Sequence, residues 1–441
     1  MTQLEPPRPD ARDLQREDQQ PLLKAARDLA AAVSKLEDPD PERLYGQAPR
    51  ALIVGGFVRD LCLGLHPKDA DIEVYGVAPE VLKELLTRMF GTVNEVGKAF
   101  GIIKVPIGDG LELDVSIPRR ESKSGIGHKG FSIDSDPGLS IGEASIRRDF
   151  TVNAMSMDPI TGVVHDPYGG LKDLRDRILR VTDMRRFQED PLRVLRAAQF
   201  LARLEFTIAP ESERLVHEMV ARGDLAELPR KRVTDEIEKL LFKPARPSVG
   251  FDFLRRNKIV EAVFPESTVQ DWEGWKQRID ATAATCQDHA VMLAAFLSGF
   301  TSSDRERVAI SLEFKDNKNL AACALALLRE SDRVESSPTN PANDARKTLR
   351  RIGPASPESY ATWLLILGRR EEGERFVSLV RENNLDARDL LRGRDLIDLF
   401  HLSPGPKFRQ VLKAVESARD EGKINTRDEA IDLIRSSLMI F

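Results

Sequence analysis

Cysteine is scarce in this chain, and what there is stands apart. Cys62, Cys286 and Cys323 are the only three in 441 residues. Their wide spacing gives neither a disulfide frame nor a zinc-ligand pattern. Their apolar neighbours point to reduced core thiols in a cytoplasmic protein. Long hydrophobic runs are missing too. No stretch reaches the about 18 apolar residues that a membrane helix needs, so no membrane span is expected. The opening stretch, MTQLEPPRPDARDLQREDQQ, is polar and Pro-rich. It is unlike a signal peptide and is expected to be disordered. Nor is there an excess of positive charge. The net charge is −5, which excludes a uniformly basic nucleic-acid binder but not a local basic patch. Arginine doublets do recur, among them Arg119-Arg120, Arg147-Arg148, Arg185-Arg186 and Arg350-Arg351. Length and a 41% hydrophobic content suit two to four domains with ample core.

The chain is organised around residues 52–76, LIVGGFVRDLCLGLHPKDADIEVYG. Leu52-Ile53-Val54 reads as a buried strand. Gly55-Gly56 ends it and lets the backbone approach a ligand without Cβ interference. A short helix follows, burying Val58, Leu61, Cys62 and Leu65 at spacings of three and four. A glycine pair opening a helix offers backbone N–H groups to an anion. Arg59, one turn in, can add a bidentate phosphate contact. Asp69-Ala70-Asp71-Ile72-Glu73-Val74 then reads as a strand on which Asp69 and Asp71 share a face. Two carboxylates about 4 Å apart repel by about 4 kcal/mol at an effective dielectric near 20. An oxygen-preferring divalent cation offsets that repulsion.

Around this element the pattern alternates. Residues 22–36 form an amphipathic helix, and residues 78–90 another. Strands are expected at 92–96, 101–106 and 111–117, which makes a small mixed sheet. Glu112 and Asp114 share a face of the last strand, so either could be a third carboxylate. Residues 121–145 are rich in Gly, Ser and charge and read as a long functional loop containing His128. Asp190, Arg193 and Arg196 recur at i, i+3 on one helix face, opposite Leu192 and Leu195. From about residue 210 onward the pattern is helical: 215–220, 232–242, 249–263, 271–300, and on to 382. A further helix is expected over 411–419. The fold class is α+β, with a mixed-sheet head followed by helices.

The combination GGFVRD…KDAD resembles the active-site strand pair of the polymerase-β-like nucleotidyltransferases. In this form it is similar to class II tRNA CCA-adding enzymes and bacterial poly(A) polymerases. The segments RRDFTVNA (147–154), HDPYGGLKDL (165–174), EDPLRVLRAAQF (189–200) and RKRVTDEIEKLL (230–241) extend the resemblance over roughly residues 50–266. It implies that Asp69 and Asp71 hold Mg²⁺, with Asp114 favoured over Glu112 as the third catalytic carboxylate. It implies that Gly55, Gly56, Arg59 and Arg148 seat a triphosphate, and that Asp149 and Asn153 hold a ribose. Asp190 and Arg193 would select the base. C and A share an amino donor beside a ring-nitrogen acceptor, so one carboxylate–guanidinium pair suits both and rejects G and U. Arg196 would reach phosphate or base. Gln199 departs from the arginine that relatives often carry.

Beyond residue 266 the resemblance thins. The His-Asp pair of the phosphohydrolase domain found in some relatives is absent, and His289 reads as structural. LSPGPKF (402–408) and GKINTRDEA (422–430) resemble the tRNA-gripping tail of class II enzymes. The expected domains are an extension at 1–48, a catalytic head at 49–182, a neck at 183–266, a body at 267–382 and a tail at 383–441. The implied function is template-independent addition of CCA to the tRNA 3′ end from CTP and ATP, with tRNA gripped at its 3′ end and elbow. The alternatives are an A-only tRNA nucleotidyltransferase, a poly(A) polymerase, or an inactive RNA-binding module.

Overall fold

The computed structural model describes residues 21–36, 47–65, 67, 69–91, 93–96, 101–108, 110–123, 131–265, 268–314, 319–333, 341–383, 385, 390–424 and 426–438. Residues 1–20, His128 and residues 97–100 therefore lie outside the described residues. Tertiary contacts divide the chain into two units. One comprises Met1–Pro229 and Val249–Val263; the other comprises Arg230–Ser248 and Phe264–Phe441.

The first unit begins with the helix Pro21–Val33 (α1), which buries Leu22, Leu23, Ala26, Leu29, Ala30 and Val33 on one stripe. The strand–helix–strand element follows as Arg50–Val54 (β1), Gly56–Cys62 (α2) and Ala70–Tyr75 (β2). Pro79–Phe90 (α3) starts on a proline, which suits a first helical turn, and stops at Gly91 with φ 81°. Asn94–Val96 (β3), Ile102–Gly108 (β4) and Leu111–Ser116 (β5) then build the sheet outward. Arg119–Lys123 (β6) pairs antiparallel with Phe131–Ser135 (β7). The long loop expected at 121–145 is therefore partly a hairpin. It leads to the helix Ile141–Ser145 (α4), closed by a Ser140–Glu143 capping box. A single 3₁₀ turn, Thr151–Asn153, precedes the short strands Ser156–Met157 (β8) and Val164–His165 (β9).

The main sheet has seven strands in the order β3-β4-β5-β2-β1-β8-β9. β2 and β5 run parallel and the other pairs antiparallel. α1 packs across β1, β2, β4 and β5. The registers place Asp71 beside Val54 on one side and beside Asp114 on the other. Period-two alternation puts Asp71, Glu73 and Tyr75 on one face of β2, with Ile72 and Val74, both fully buried, on the other.

Gly170–Asp176 (α5), Ile178–Leu179 (β10), Met184–Phe187 (α6), Leu192–Leu204 (α7), Thr207–Ile208 (β11) and Pro210–Ala221 (α8) complete this run of the first unit. Arg230–Phe242 (α9) belongs to the second unit. The helix expected over 249–263 is two: Ser248–Arg256 (α10) and Ile259–Val263 (α11). Lys258 adopts φ 58° between them, a left-handed conformation that a continuous helix cannot contain. Apart from Ser248, both lie in the first unit.

The second unit is helical. It continues with Trp272–Thr285 (α12), His289–Leu297 (α13), Ser302–Ser311 (α14), Leu320–Ser331 (α15), Pro341–Ile352 (α16), Pro357–Ile366 (α17) and Arg370–Glu382 (α18). α13 is apolar on all sides, with every residue from Ala290 to Leu297 buried. The helical stretch expected over 271–300 is interrupted at 286–288, where Asp288 caps α13 through the Ala290 and Val291 N–H groups. The His289 ring stacks on Phe242 at 4.1 Å. Gly393–Phe400 (α19), Pro406–Asp420 (α20) and Arg427–Leu438 (α21) close over a small core of Leu391, Leu396, Val415, Ile424 and Ile434. The three cysteines are free; Cys62 and Cys323 are buried and Cys286 half-buried. Burial, then nearby Asp166, pushes the Cys62 thiol up to about 12, which suits an inert core thiol. Among the described residues no helix is long and apolar enough to cross a membrane.

Candidate active site

The β1–α2 turn depends on its first glycine. Gly55 sits at φ 75°, ψ −130°, a region open to glycine and costly to other residues. A Cβ there would lie 2.7 Å from Nη1 of Arg148. The Gly55 N–H donates to the Met155 carbonyl at 3.1 Å. Gly56 opens α2, where the first N–H groups have no partner within the helix.

The acidic edge borders a cleft of ≈140 Å³, lined in part by Val54, Asp71, Glu73, Asp114, Arg147 and Arg148. Asp69 is exposed just before β2 begins, and Asp71 is open to water. Crowding nonetheless raises the Asp71 carboxyl. Desolvation is the main cause, Arg148 pulls the other way, and the charges of Asp114, Glu73 and Asp69 add to the rise. Asp114 lies opposite Asp71 in the parallel register. Its Oδ1 accepts a hydrogen bond from Lys104 Nζ at 3.0 Å, and the same ammonium bonds Glu112 at 3.0 Å. Among the described residues that line the cleft, Asp114 is present and Glu112 is not.

No three carboxylate, imidazole or thiol groups gather as a metal cage among the described residues. The donors are oxygen-only and mutually repelling. That suits Mg²⁺, which is held by one or two carboxylates with its other positions left to water and substrate phosphates.

Glu73 is the second acidic residue of β2, and no role follows for it from the sequence. It is 1% exposed. Its Oε1 accepts from Arg147 at 2.5 Å and Arg148 at 3.1 Å, and its Oε2 accepts from the Tyr75 hydroxyl at 2.9 Å. Burial works to raise its carboxyl, but Arg148, Arg147 and Tyr75 outweigh it, and the group sits below the ordinary carboxylate range.

A polar chain, buried at its centre, links α2 to α7. Arg196 on α7 donates to Asp149 Oδ2 at 2.7 Å. Asp149 Oδ1 accepts from Asn153 Nδ2 at 2.9 Å, and Asn153 Oδ1 accepts from Arg59 at 2.5 Å. Arg59 is paired to Asp60 at 2.6 Å, and Asp60 to Arg203 at 3.0 Å. Arg196 and Arg203 lie two turns apart on α7, so the chain leaves that helix and returns to it. The Phe200 ring carries Arg59 at 5.1 Å and Arg196 at 5.5 Å, within cation–π range. Burial acts first to raise the Asp149 carboxyl; Arg196, Asn153 and Arg193 bring it below the usual range.

These bonds bear on four expected nucleotide contacts. Arg59 is 3% exposed, and Asp149 and Asn153 are each 6% exposed. Together with Arg196 they are bonded to one another. In this arrangement none of the four lines the cleft, and the three buried ones reach a nucleotide only by exchanging these bonds. Arg193 donates to the Arg186 carbonyl at 2.6 Å and the Arg147 carbonyl at 2.7 Å. Asp190 accepts from the Leu192 N–H at 3.2 Å. Gln199 is buried on the same helix. Nothing in the sequence spacing marks Asp60 and Arg203 as partners, for 143 positions separate them.

Two family models match the chain over these elements. Residues 51–180 match the poly A polymerase head domain, which takes in the glycine turn, the acidic edge and the RRDF segment. Residues 205–270 match a second model, described as the probable RNA and SrmB-binding site of polymerase A. The chain is 41% identical over 217 residues to the multifunctional CCA protein of Actinobacillus pleuropneumoniae serotype 5b, covering 48% of this chain and 50% of that one. It thus spans about half the length of the curated relatives it matches. The fold of the whole chain is similar to that of the Bacillus stearothermophilus CCA-adding enzyme in complex with CTP. The TM-score is 0.65 at 22% identity, covering 96% of this chain and all of that one. It is also similar to a tRNA nucleotidyltransferase complexed with a primer tRNA and an ATP analogue. There the TM-score is 0.60 at 25% identity, covering 77% of this chain and 97% of that one. The head domain and its helical continuation therefore share one architecture with these enzymes.

Proposed function

We propose that this chain is an ATP(CTP):tRNA nucleotidyltransferase that adds C, C and A to the tRNA 3′ end without a nucleic-acid template. One observation carries the reading. A carboxylate edge, Asp71 beside Asp114 with Asp69 adjacent, shares a cleft with Arg148, which lies against a glycine turn. Negative oxygen donors and a guanidinium lining one cleft suit a polyphosphate bridged to the protein. Asp69 and Asp71 would hold Mg²⁺. Bound there, the ion would neutralise phosphate charge and acidify the attacking 3′-hydroxyl.

The chain's own groups do the rest. Arg148 meets the polyphosphate, and Gly56 lets it approach the backbone. Asp114 has Oδ1 bonded to Lys104 and takes the hydroxyl proton at Oδ2. Asp190 and Arg193 read the base once Arg193 leaves the two carbonyls it now bonds. Residues 183–266 would serve as the neck that carries these two, and 383–441 as the tail that grips the tRNA elbow. The three widely spaced cysteines, which form no disulfide frame, support a cytoplasmic setting.

The test is incorporation of radiolabelled CTP and ATP into tRNA ending at the discriminator base, in C or in CC, resolved on a gel. All three primers are expected to extend to CCA, and Asp69→Ala with Asp71→Ala to abolish extension. Extension of the CC primer alone would replace this reading with A-only addition. Long A tracts would replace it with a poly(A) polymerase.

A further inference from the structure

Glu73 is a carboxylate to which the proposed chemistry gives no task. It shares the β2 face of Asp71, two residues away, yet both its oxygens are already committed to Arg147, Arg148 and Tyr75. One buried negative charge holds two guanidiniums that would otherwise repel each other. The pair sits at the wall of the cleft, where their side chains are 19% and 18% exposed. On its other side Arg148 is stopped by the glycine turn, where a Cβ at Gly55 would meet it at 2.7 Å. Asp71 attracts the same guanidinium. Arg148 is thus held between two carboxylates of different function: one buried and permanent, the other on the edge meant for substrate.

We infer that Glu73 is a positioning residue: it anchors the Arg147–Arg148 pair so that Arg148 is presented to the polyphosphate of an incoming nucleotide instead of closing on Asp71. The inference rests on the nucleotidyltransferase reading and names how that site recognises a triphosphate. Its signature is selectivity for phosphate number. Losing Glu73 releases Arg148 toward Asp71, which weakens the grip on the polyphosphate and leaves base and ribose contacts alone. A general loss of packing would weaken every nucleotide alike.

The experiment uses the full chain, with Glu73→Gln, Glu73→Asp, Arg148→Met and the double Glu73→Gln/Arg148→Met. Binding of CTP and of CMP is measured in EDTA, and incorporation kinetics in Mg²⁺ on tRNA lacking its 3′ end. Glu73→Gln is expected to raise KM for CTP by about tenfold or more, the scale of one lost charged hydrogen bond, with kcat nearly unchanged. Its CTP-over-CMP preference should shrink, Glu73→Asp should fall between it and the parent, and the double should be no worse than Arg148→Met. An unchanged CTP-over-CMP preference in Glu73→Gln, or additive losses in the double, would overturn the inference. Should Glu73→Gln fail to fold, the phosphate preference of Glu73→Asp and the comparison of the double with Arg148→Met decide it. A parent chain that binds CTP over CMP but incorporates nothing would sink the enzymatic reading and leave the binding comparison as the judge of Glu73.

Discussion

Two adjacent glycines should respond to the same substitution in opposite ways. Gly55 lies at φ 75°, ψ −130°. An alanine there carries about 1–3 kcal/mol of backbone strain. Its Cβ would stand 2.7 Å from Arg148 Nη1, closer than real Cβ contacts allow. The guanidinium must shift, and its 3.1 Å bond to Glu73 is already long. Losing a hydrogen bond between charged groups costs about 1.5–3 kcal/mol. Gly55→Ala should therefore lower stability by about 2.5–6 kcal/mol, the sum of the two, and raise KM for CTP. Gly56 is different. It stands inside α2 with no left-handed φ, and its nearest neighbour to a new Cβ is Arg59 Nη2 at 3.5 Å, an ordinary contact. Gly56→Ala should hold stability within about 1 kcal/mol, or raise it slightly by stiffening the unfolded chain. If phosphate approaches the backbone there, KM for CTP still rises. Urea unfolding followed by fluorescence, with CTP titration on the same samples, measures both. Equal stability losses in the two variants would refute the conformational argument. A Gly55→Ala variant with parental stability and parental KM would refute it as well.

Three other outcomes follow from the same geometry. Asp71 has a raised folded pKa, so its charge opposes folding above that pKa and the penalty fades as pH falls toward its unfolded value near about 3.9. Asp71→Asn should accordingly melt higher than the parent at pH 7, lose that advantage in acid, and lose the thermal stabilisation by Mg²⁺ expected of the parent. Asp60→Ala strands the buried Arg59 guanidinium and should cost about 3–5 kcal/mol, most of it recovered in Arg59→Met/Asp60→Ala; denaturant midpoints measure this. Leu29 on α1 is fully buried, and Leu29→Ala should cost about 2–5 kcal/mol in the same measurement if α1 is part of the head core.

The periodic elements were legible in the sequence. α1, β1, α2, β2 and α3 each follow from apolar spacing and punctuation by Gly or Pro, but Leu65, expected on the buried side of α2, lies past its end at Cys62 and is 48% exposed. The β6–β7 hairpin was not, because its strands are polar and flanked by Gly and Ser, which carry loop signals whichever structure forms. The break at Lys258 was hidden for the opposite reason: the apolar period runs through it on both sides. Alternation along β2 did place Glu73 with Asp71, but spacing cannot say whether a carboxylate faces a cation or a guanidinium. That distinction needs Arg147 and Arg148, which come from a distant part of the chain. The same holds for Asp60, whose partner Arg203 is 143 positions away, and for Arg59. Its motif suggests a phosphate contact, while its burial commits it to Asn153.

The matched head-domain segment starts at residue 51, yet the helix that covers its strands lies at Pro21–Val33. The evolutionary edge of the module and its folding edge are thus not the same. A fragment cut at the former would show water the apolar surface that Leu22, Leu23, Leu29 and Val33 now shield, and is expected to self-associate. The unit that folds alone should begin at or before residue 21.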